Sequence, residues 1–308
     1  MKRTVALCLT LTAALVLCLT AASSARGRRF GASYIADSPF FIAVNDTIRA
    51  VLEDNGDTLI TLYPNRDQAQ QIRQIEELIA QHIDALFLTP VDWQGVAQAL
   101  AECKAAGIPV INIDAPVYDE ELVAGHVASD NLAAGQACAQ DLLNRLRGGQ
   151  IAVLGNSTAR TGLERVTTFE TAVGANPAFS IVARGDSQGT RGTAKTVMAD
   201  IIHSYPDIAA VMCISDSVAL GAIEALKDAG MAGRVLVYGV NGSPEAKRAI
   251  SRGEMTGTAG QSARSIGHIA VGMAYRVLDG EKIEKHALAP VLMITAENLN
   301  EFFLDGWQ

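Results

Sequence analysis

From Arg29 onward, short runs of β-branched and other apolar residues alternate with stretches in which apolar positions recur every three or four residues. Such alternation predicts βαβ units feeding parallel sheets, because each amphipathic helix must lie back across the strands it connects. The pattern predicts strands over 31–36, 59–63, 85–88 and 110–113, with helices over 41–55, 67–81 and 94–106 between them. In the second helix Ile72, Ile75 and Ile79 share one face. Gly107 permits the positive φ that ends a helix, and Pro109, unable to continue one, opens the next strand.

After His126-Val127-Ala128-Ser129-Asp130-Asn131 the pattern restarts, with strands over 151–154, 180–183 and 255–260 and helices over 162–173 and 193–203. The two halves share a design. Residues from Asp84 through Ala106-Gly107 to Ile113-Asp114, and from Ala210 through Ala229-Gly230 to Val240-Asn241, both read as strand, polar tip, alanine-rich helix, Ala-Gly stop, strand and polar tip. In open parallel sheets ligands bind beyond the carboxyl ends of the strands. Two such domains facing one another would pool their tips in one cleft.

The first 25 residues change the picture by assigning a compartment. Lys2 and Arg3 precede an apolar run from Val5 to Thr20, and Ser23-Ser24-Ala25 is a small-residue cleavage site, the layout of an export signal. Thr4, Thr10, Thr12 and Thr20 weaken the run as a membrane span, and Leu17 ahead of Cys18 is large for a lipid-attachment site. Cleavage after Ala25 leaves about 280 residues, a length for two domains, in a periplasmic or cell-surface setting. A net charge of −8 argues against a nucleic-acid partner, which needs an excess of Lys and Arg. Cys103, Cys138 and Cys213 sit in apolar patterns without metal spacing and read as small buried hydrophobes; no metal site or cofactor is expected.

The candidate chemistry lies at the tips. Ser38-Pro39-Phe40-Phe41 follows the first strand, and adjacent aromatics cannot both lie on a helix's buried stripe. An aromatic face at a cleft suits the C–H face of a sugar, although spacing alone serves a core role equally. Asp114 and Asn241 end corresponding strands; singly each is also a turn former, and their symmetric placement is what points to hydroxyl recognition. Arg165 sits early in a helix, where the dipole disfavours a cation, so a forked donor aimed into the cleft competes with a plain surface arginine. Gln261 ends its strand as a turn residue or a ligand contact, and Trp93, just past the tip at Thr89, offers aromatic surface or packs at a helix start. Gly189 to Thr196 is one substitution from a phosphate-cradling loop, with Ala194 where the second glycine belongs, and reads as a helix start. The five histidines are scattered, with no nucleophile signature beside them.

Taken in order, Ser38-Pro39-Phe40-Phe41, the segment Gly107 to Asp114, His126 to Asn131, Glu164-Arg165 ahead of Phe169, Ser215-Asp216, Gly239 to Pro244 and Gln261 resemble the type I periplasmic sugar-binding proteins of ABC importers, in particular the ribose-binding branch. The resemblance implies two Rossmann-like α/β lobes with parallel sheets joined by three crossovers, near 128–129, 261–262 and 289–291. It gives an N-terminal lobe of 26–128 plus 262–290 and a C-terminal lobe of 129–261 plus 291–308. It further implies a monomer that closes on a monosaccharide or small polyol and presents it to an ABC permease. Phe40 and Phe41 would be the stacking pair, Asp114, Arg165, Asn241 and Gln261 the hydroxyl-binding set, and Ser38, Thr89 and Ser215 would complete the site.

Four positions depart from the ribose pattern. Ala115 stands where an arginine is expected, Asn241 where an aspartate is, and Ser187 and Val240 replace aromatics. The cleft is therefore less charged and less aromatic, which fits another monosaccharide or a polyol as well as ribose. A sugar-responsive repressor shares the two-lobe core but needs an N-terminal DNA-binding helix pair, for which an export signal leaves no room. A component feeding a signalling receptor would read alike in sequence, and an exported enzyme would need a carboxylate pair, Asp114 with Asp216 being the one to test.

Overall fold

The computed structural model describes residues 27–156 and 160–308; the export signal and Cys18 lie outside them. The first sheet grows from β1 (Arg29–Ser33), β2 (Thr58–Leu62), β3 (Ala85–Leu88), β4 (Val110–Ile113) and β5 (Gly125–Ser129), linked through α1 (Pro39–Asp54), α2 (Gln68–Ala80) and α3 (Ala97–Ala105). Alternation along the strands dresses both faces. Ala85 and Phe87 of β3 pack with α1, while Leu86 and Leu88 pack with Ile75 and Leu78 of α2 and Leu100 of α3. Burial on both faces explains why these strands read as continuous apolar runs.

The second sheet comprises β6 (Gly149–Gly155), β7 (Phe179–Asp186), β8 (Ile208–Cys213), β9 (Leu236–Asn241) and β10 (Gly257–Gln261). Its helices are α4 (Asn131–Arg145), α5 (Arg160–Gly174), α6 (Arg191–Ser204), α7 (Asp216–Asp228) and α8 (Pro244–Ser251). The chain then returns to the first sheet through α9 (Ala263–Leu278) and β11 (His286–Ala289), and crosses at Pro290 into β12 (Val291–Thr295) of the second. The strand orders are β11-β5-β4-β3-β1-β2 and β12-β10-β9-β8-β6-β7, parallel throughout except β12. This is the α/β architecture of two lobes and three crossovers that the resemblance implied, with crossings after β5, after β10 and between β11 and β12.

Residues 302–308 form a further bridge. On α8, Lys247 donates to the carbonyls of Phe303 and Gly306, and Arg248 pairs with Asp305 at 2.6 Å. Beyond them Trp307 packs on the first lobe's core, its ring 5.5 Å from that of Phe40, and the carbonyl of Gln308 accepts from the Arg264 amide of α9 at 3.1 Å.

Local chemistry accounts for the differences from the predicted boundaries. Helix α3 begins at Ala97 rather than 94 because Asp92 Oδ1 accepts from the amides of Gln94 and Gly95, holding that stretch in a turn. Helix α1 begins two residues early, at Pro39, where proline's missing N–H is no loss. Gly107 and Gly230 stop their helices at φ +72° and +67°. The phosphate-loop lookalike starts α6, capped by Thr190, and its Lys195 pairs with Asp228 at 2.9 Å. The three cysteines are free and buried, and burial pushes the thiols of Cys103 and Cys138 up to about 12.

Candidate functional site

The carboxyl ends of the two sheets' strands face a common cleft, where Asp114 after β4 stands within electrostatic range of Arg165 on α5. Asp114 has φ +62° and Asn241, ending β9, has φ +137°, so the corresponding tips of the two lobes both hold a polar residue in a conformation that side chains rarely adopt. The backbone of Asp114 is fixed by its amide donating to the Val127 carbonyl at 2.8 Å and its carbonyl accepting from His126 Nε2 at 2.9 Å. Loss of water raises the Asp114 carboxyl above the usual carboxylate range, while Arg165 and His126 oppose the rise.

Arg165 is 7% exposed, far from the plain surface arginine that sequence left open. Its Nε donates to Asn131 Oδ1 and its Nη1 to the Ile214 carbonyl, both at 2.8 Å, which sets the plane of the guanidinium. Helix α5 can carry it there because Gly135 of α4 lacks a side chain: a Cβ at Gly135 would stand 2.1 Å from the Arg165 carbonyl oxygen. Burial lowers the pKa of Arg165, and Asp114 and Asp216 act against that.

On the second lobe, Asn241 Nδ2 donates to Gln261 Oε1 at 2.6 Å, and Asn241 Oδ1 accepts from the Asp216 amide at 3.4 Å. Gln261 is 2% exposed, and its Nε2 is a buried donor with no hydrogen-bond partner among the described residues. An unpaired buried donor costs about 1–3 kcal/mol. Beside Asn241 it is a donor ready for an incoming oxygen.

The remaining predicted residues are placed differently. Ser38 Oγ accepts from the Phe41 amide at 3.5 Å, Ser215 Oγ accepts from that of Val218 at 3.4 Å, and the Thr89 hydroxyl donates to the Ile113 carbonyl at 3.0 Å. All three hydroxyls hold the local backbone at the tips. The aromatic pair divides: Phe41 is buried in the first lobe's core and stacks on Tyr34 at 5.7 Å, while Phe40 is half-buried between Phe41 and Trp307. Sequence reasoning missed Asn131, whose Oδ1 accepts from Arg165 Nε and orients the guanidinium. It also missed Trp307, which no local pattern connects to Phe40.

A carboxylate, a guanidinium and two carboxamides supply acceptors and forked donors suited to adjacent hydroxyl groups. The Asp216 carboxylate accepts from Thr258 Oγ1 at 2.6 Å and from the Ser243 amide at 2.7 Å, which ties it to the strand tips of the second lobe. Among the described residues no group of three or more His, Cys, Asp or Glu side chains is arranged to hold a metal ion.

Fold and site together define a two-lobed α/β protein with a polar cleft between the lobes. Residues 32–282 match the periplasmic binding protein domain, and the chain belongs to that family. It is 30% identical over 261 residues to the ribose import binding protein of Bacillus subtilis, covering 84% of each chain, and 28% identical to the xylitol-binding protein of Mycolicibacterium smegmatis, covering 92% of this chain and 85% of that one. Among solved structures, a solute-binding protein of an ABC transporter from Mycobacterium smegmatis with bound glycerol superposes with a TM-score of 0.82 at 30% identity, covering 92% of this chain and all of that one. Another from Bacillus halodurans, with bound myo-inositol, does so with a TM-score of 0.81 at 25% identity, covering 89% and 96%.

Proposed function

We propose that this chain is an extracytoplasmic solute-binding protein that captures a monosaccharide or a small polyol between its lobes and delivers it to an ABC importer, without chemical change to the ligand. The observation that carries this reading is the buried Gln261 amide nitrogen, unpaired beside Asn241 at a strand tip. Ribose, xylitol, glycerol and myo-inositol, named for the relatives and neighbours, share adjacent hydroxyls, the pattern that the carboxylate, guanidinium and carboxamides are built to meet.

Asp114, Arg165, Asn241 and Gln261 bind the hydroxyls, with Phe40 at the apolar face. Ser38, Thr89, Ser215 and Phe41 support the tips from behind. The lobes are 26–128 plus 262–290 and 129–261 plus 291–308, with Trp307 and Gln308 reaching back to the first. The protein works as a monomer in the periplasm or at the cell surface, takes no cofactor, and its acidity keeps it off nucleic acid.

A thermal-shift screen of the protein from Arg26 onward against ribose, xylitol, myo-inositol, glycerol and nucleosides tests the reading. A ligand that binds only the folded form raises the melting temperature by mass action, about 2.7 kcal/mol at a hundred times Kd. At least one sugar or polyol should do so; a response confined to nucleosides would move the function elsewhere.

A further inference from the structure

Next to the polar set the cleft opens into a chamber of about 380 Å³ with a different character, within the size range of small-molecule pockets. The first lobe lines it with Pro90, Val91 and Trp93 after β3 and with Ala115 and Pro116 after β4; the second adds Leu163 of α5. Its one charged residue, Arg160, pairs with Glu164 at 3.3 Å, and Thr161 adds a hydroxyl at that end.

The aromatic wall is braced by its neighbours. Trp93 is 47% exposed, yet its ring meets Tyr118 edge-on at 5.2 Å, and its carbonyl accepts from the Tyr118 amide at 2.9 Å. Two glutamines of α2 fix the loop beneath it: Gln71 Oε1 accepts from the Val91 amide at 2.7 Å and Gln68 Oε1 from that of Asp92 at 2.9 Å. A large apolar side chain left half in water, braced on two sides and facing Leu163 of the other lobe, is organised to receive something. Ala115 makes the connection, being the next residue after Asp114 and contributing only a methyl group where the resemblance places an arginine.

We infer that this chamber is an apolar subsite continuous with the hydroxyl-binding cleft, and that the chain's ligand is a sugar or polyol bearing an alkyl or aryl substituent, an ether or glycoside whose apolar group lies between Trp93 and Leu163. The inference rests on the hydroxyl-binding reading of Asp114, Arg165, Asn241 and Gln261. Polarity decides the substituent's chemistry: a second sugar ring would bring several hydroxyls to a wall with little to bond them, whereas an apolar group loses only water.

Calorimetry on matched pairs tests this: ribose against methyl and phenyl ribofuranoside, and myo-inositol against its mono-O-methyl ethers. For the pair whose parent binds, the substituted member should bind roughly tenfold tighter, the return expected for burying one to two methylene equivalents. Trp93→Ala, and independently Leu163→Ser from the opposite wall, should bring the ratio of the two affinities towards one. Parents that bind while every ether and glycoside binds no tighter would overturn the subsite and leave the hydroxyl-binding reading standing. An equal gain from a glycosyl substituent, or a gain untouched in both variants, would overturn the apolar assignment. If neither parents nor derivatives bind, the subsite falls, and the hydroxyl-binding reading falls with it unless xylitol or glycerol binds in the thermal-shift screen.

Discussion

The burial of Asp114 costs the fold stability. Its carboxyl is held above the ordinary carboxylate range by burial, so in the folded protein the charged form is disfavoured. The cost is absent below the unfolded pKa of about 3.9, grows as pH rises from there and is complete above the folded value, because the folded state binds the proton more tightly than the unfolded one. Asp114→Asn should therefore melt higher than the parent near neutral pH and show no advantage below about pH 4. Asparagine is the appropriate probe, since at φ +62° an alanine would add backbone strain to the loss of the acid. The same variant should bind its ligand about ten- to hundredfold more weakly, as expected for removal of a charged hydrogen-bond acceptor. Thermal melts against pH, with calorimetry at neutral pH, check both halves; near-parental affinity would take Asp114 out of the binding set.

At the scale of elements, the position of Arg165 depends on the contact between α4 and α5. Gly135→Ala would place a methyl carbon against the Arg165 carbonyl, backbone against backbone, and the helices would have to part. Overpacking of this kind costs about 1–3 kcal/mol. The expected outcome is a lower melting temperature and weaker ligand binding together, because the guanidinium moves with its helix; a change in melting alone would separate the contact from the site. Helix α4 also shows where sequence legibility ended. Strands β3 and β4 were readable to the residue because buried parallel strands are continuous apolar runs. In contrast α4 buries Ala134, Gly135, Cys138 and Ala139, and small residues give little amphipathic contrast, so it was not delimited. The tips at Asp114 and Asn241 were legible through the internal repeat. That Phe40 and Phe41 would divide was legible from their adjacency; the orphaned donor of Gln261 and the contact of Phe40 with Trp307 were not, since packing between segments distant in the chain sets them.

For the whole molecule, ligand capture requires the two lobes to move about the three crossings, and scattering at saturating ligand should show a smaller radius of gyration than without it. An unchanged radius would mean that the cleft fills without closing. The segment 302–308 constrains that motion, being anchored to α8 through Lys247 and Arg248 and reaching Phe40 through Trp307. Trp307 and Trp93 are the two tryptophans of the chain. One packs on Phe40 at the first tip and the other lines the apolar chamber. The protein thus carries its own optical reporter: intrinsic emission reads the cleft without any label, and replacing Trp93 with phenylalanine leaves a single fluorophore whose surroundings follow the bridge between the lobes.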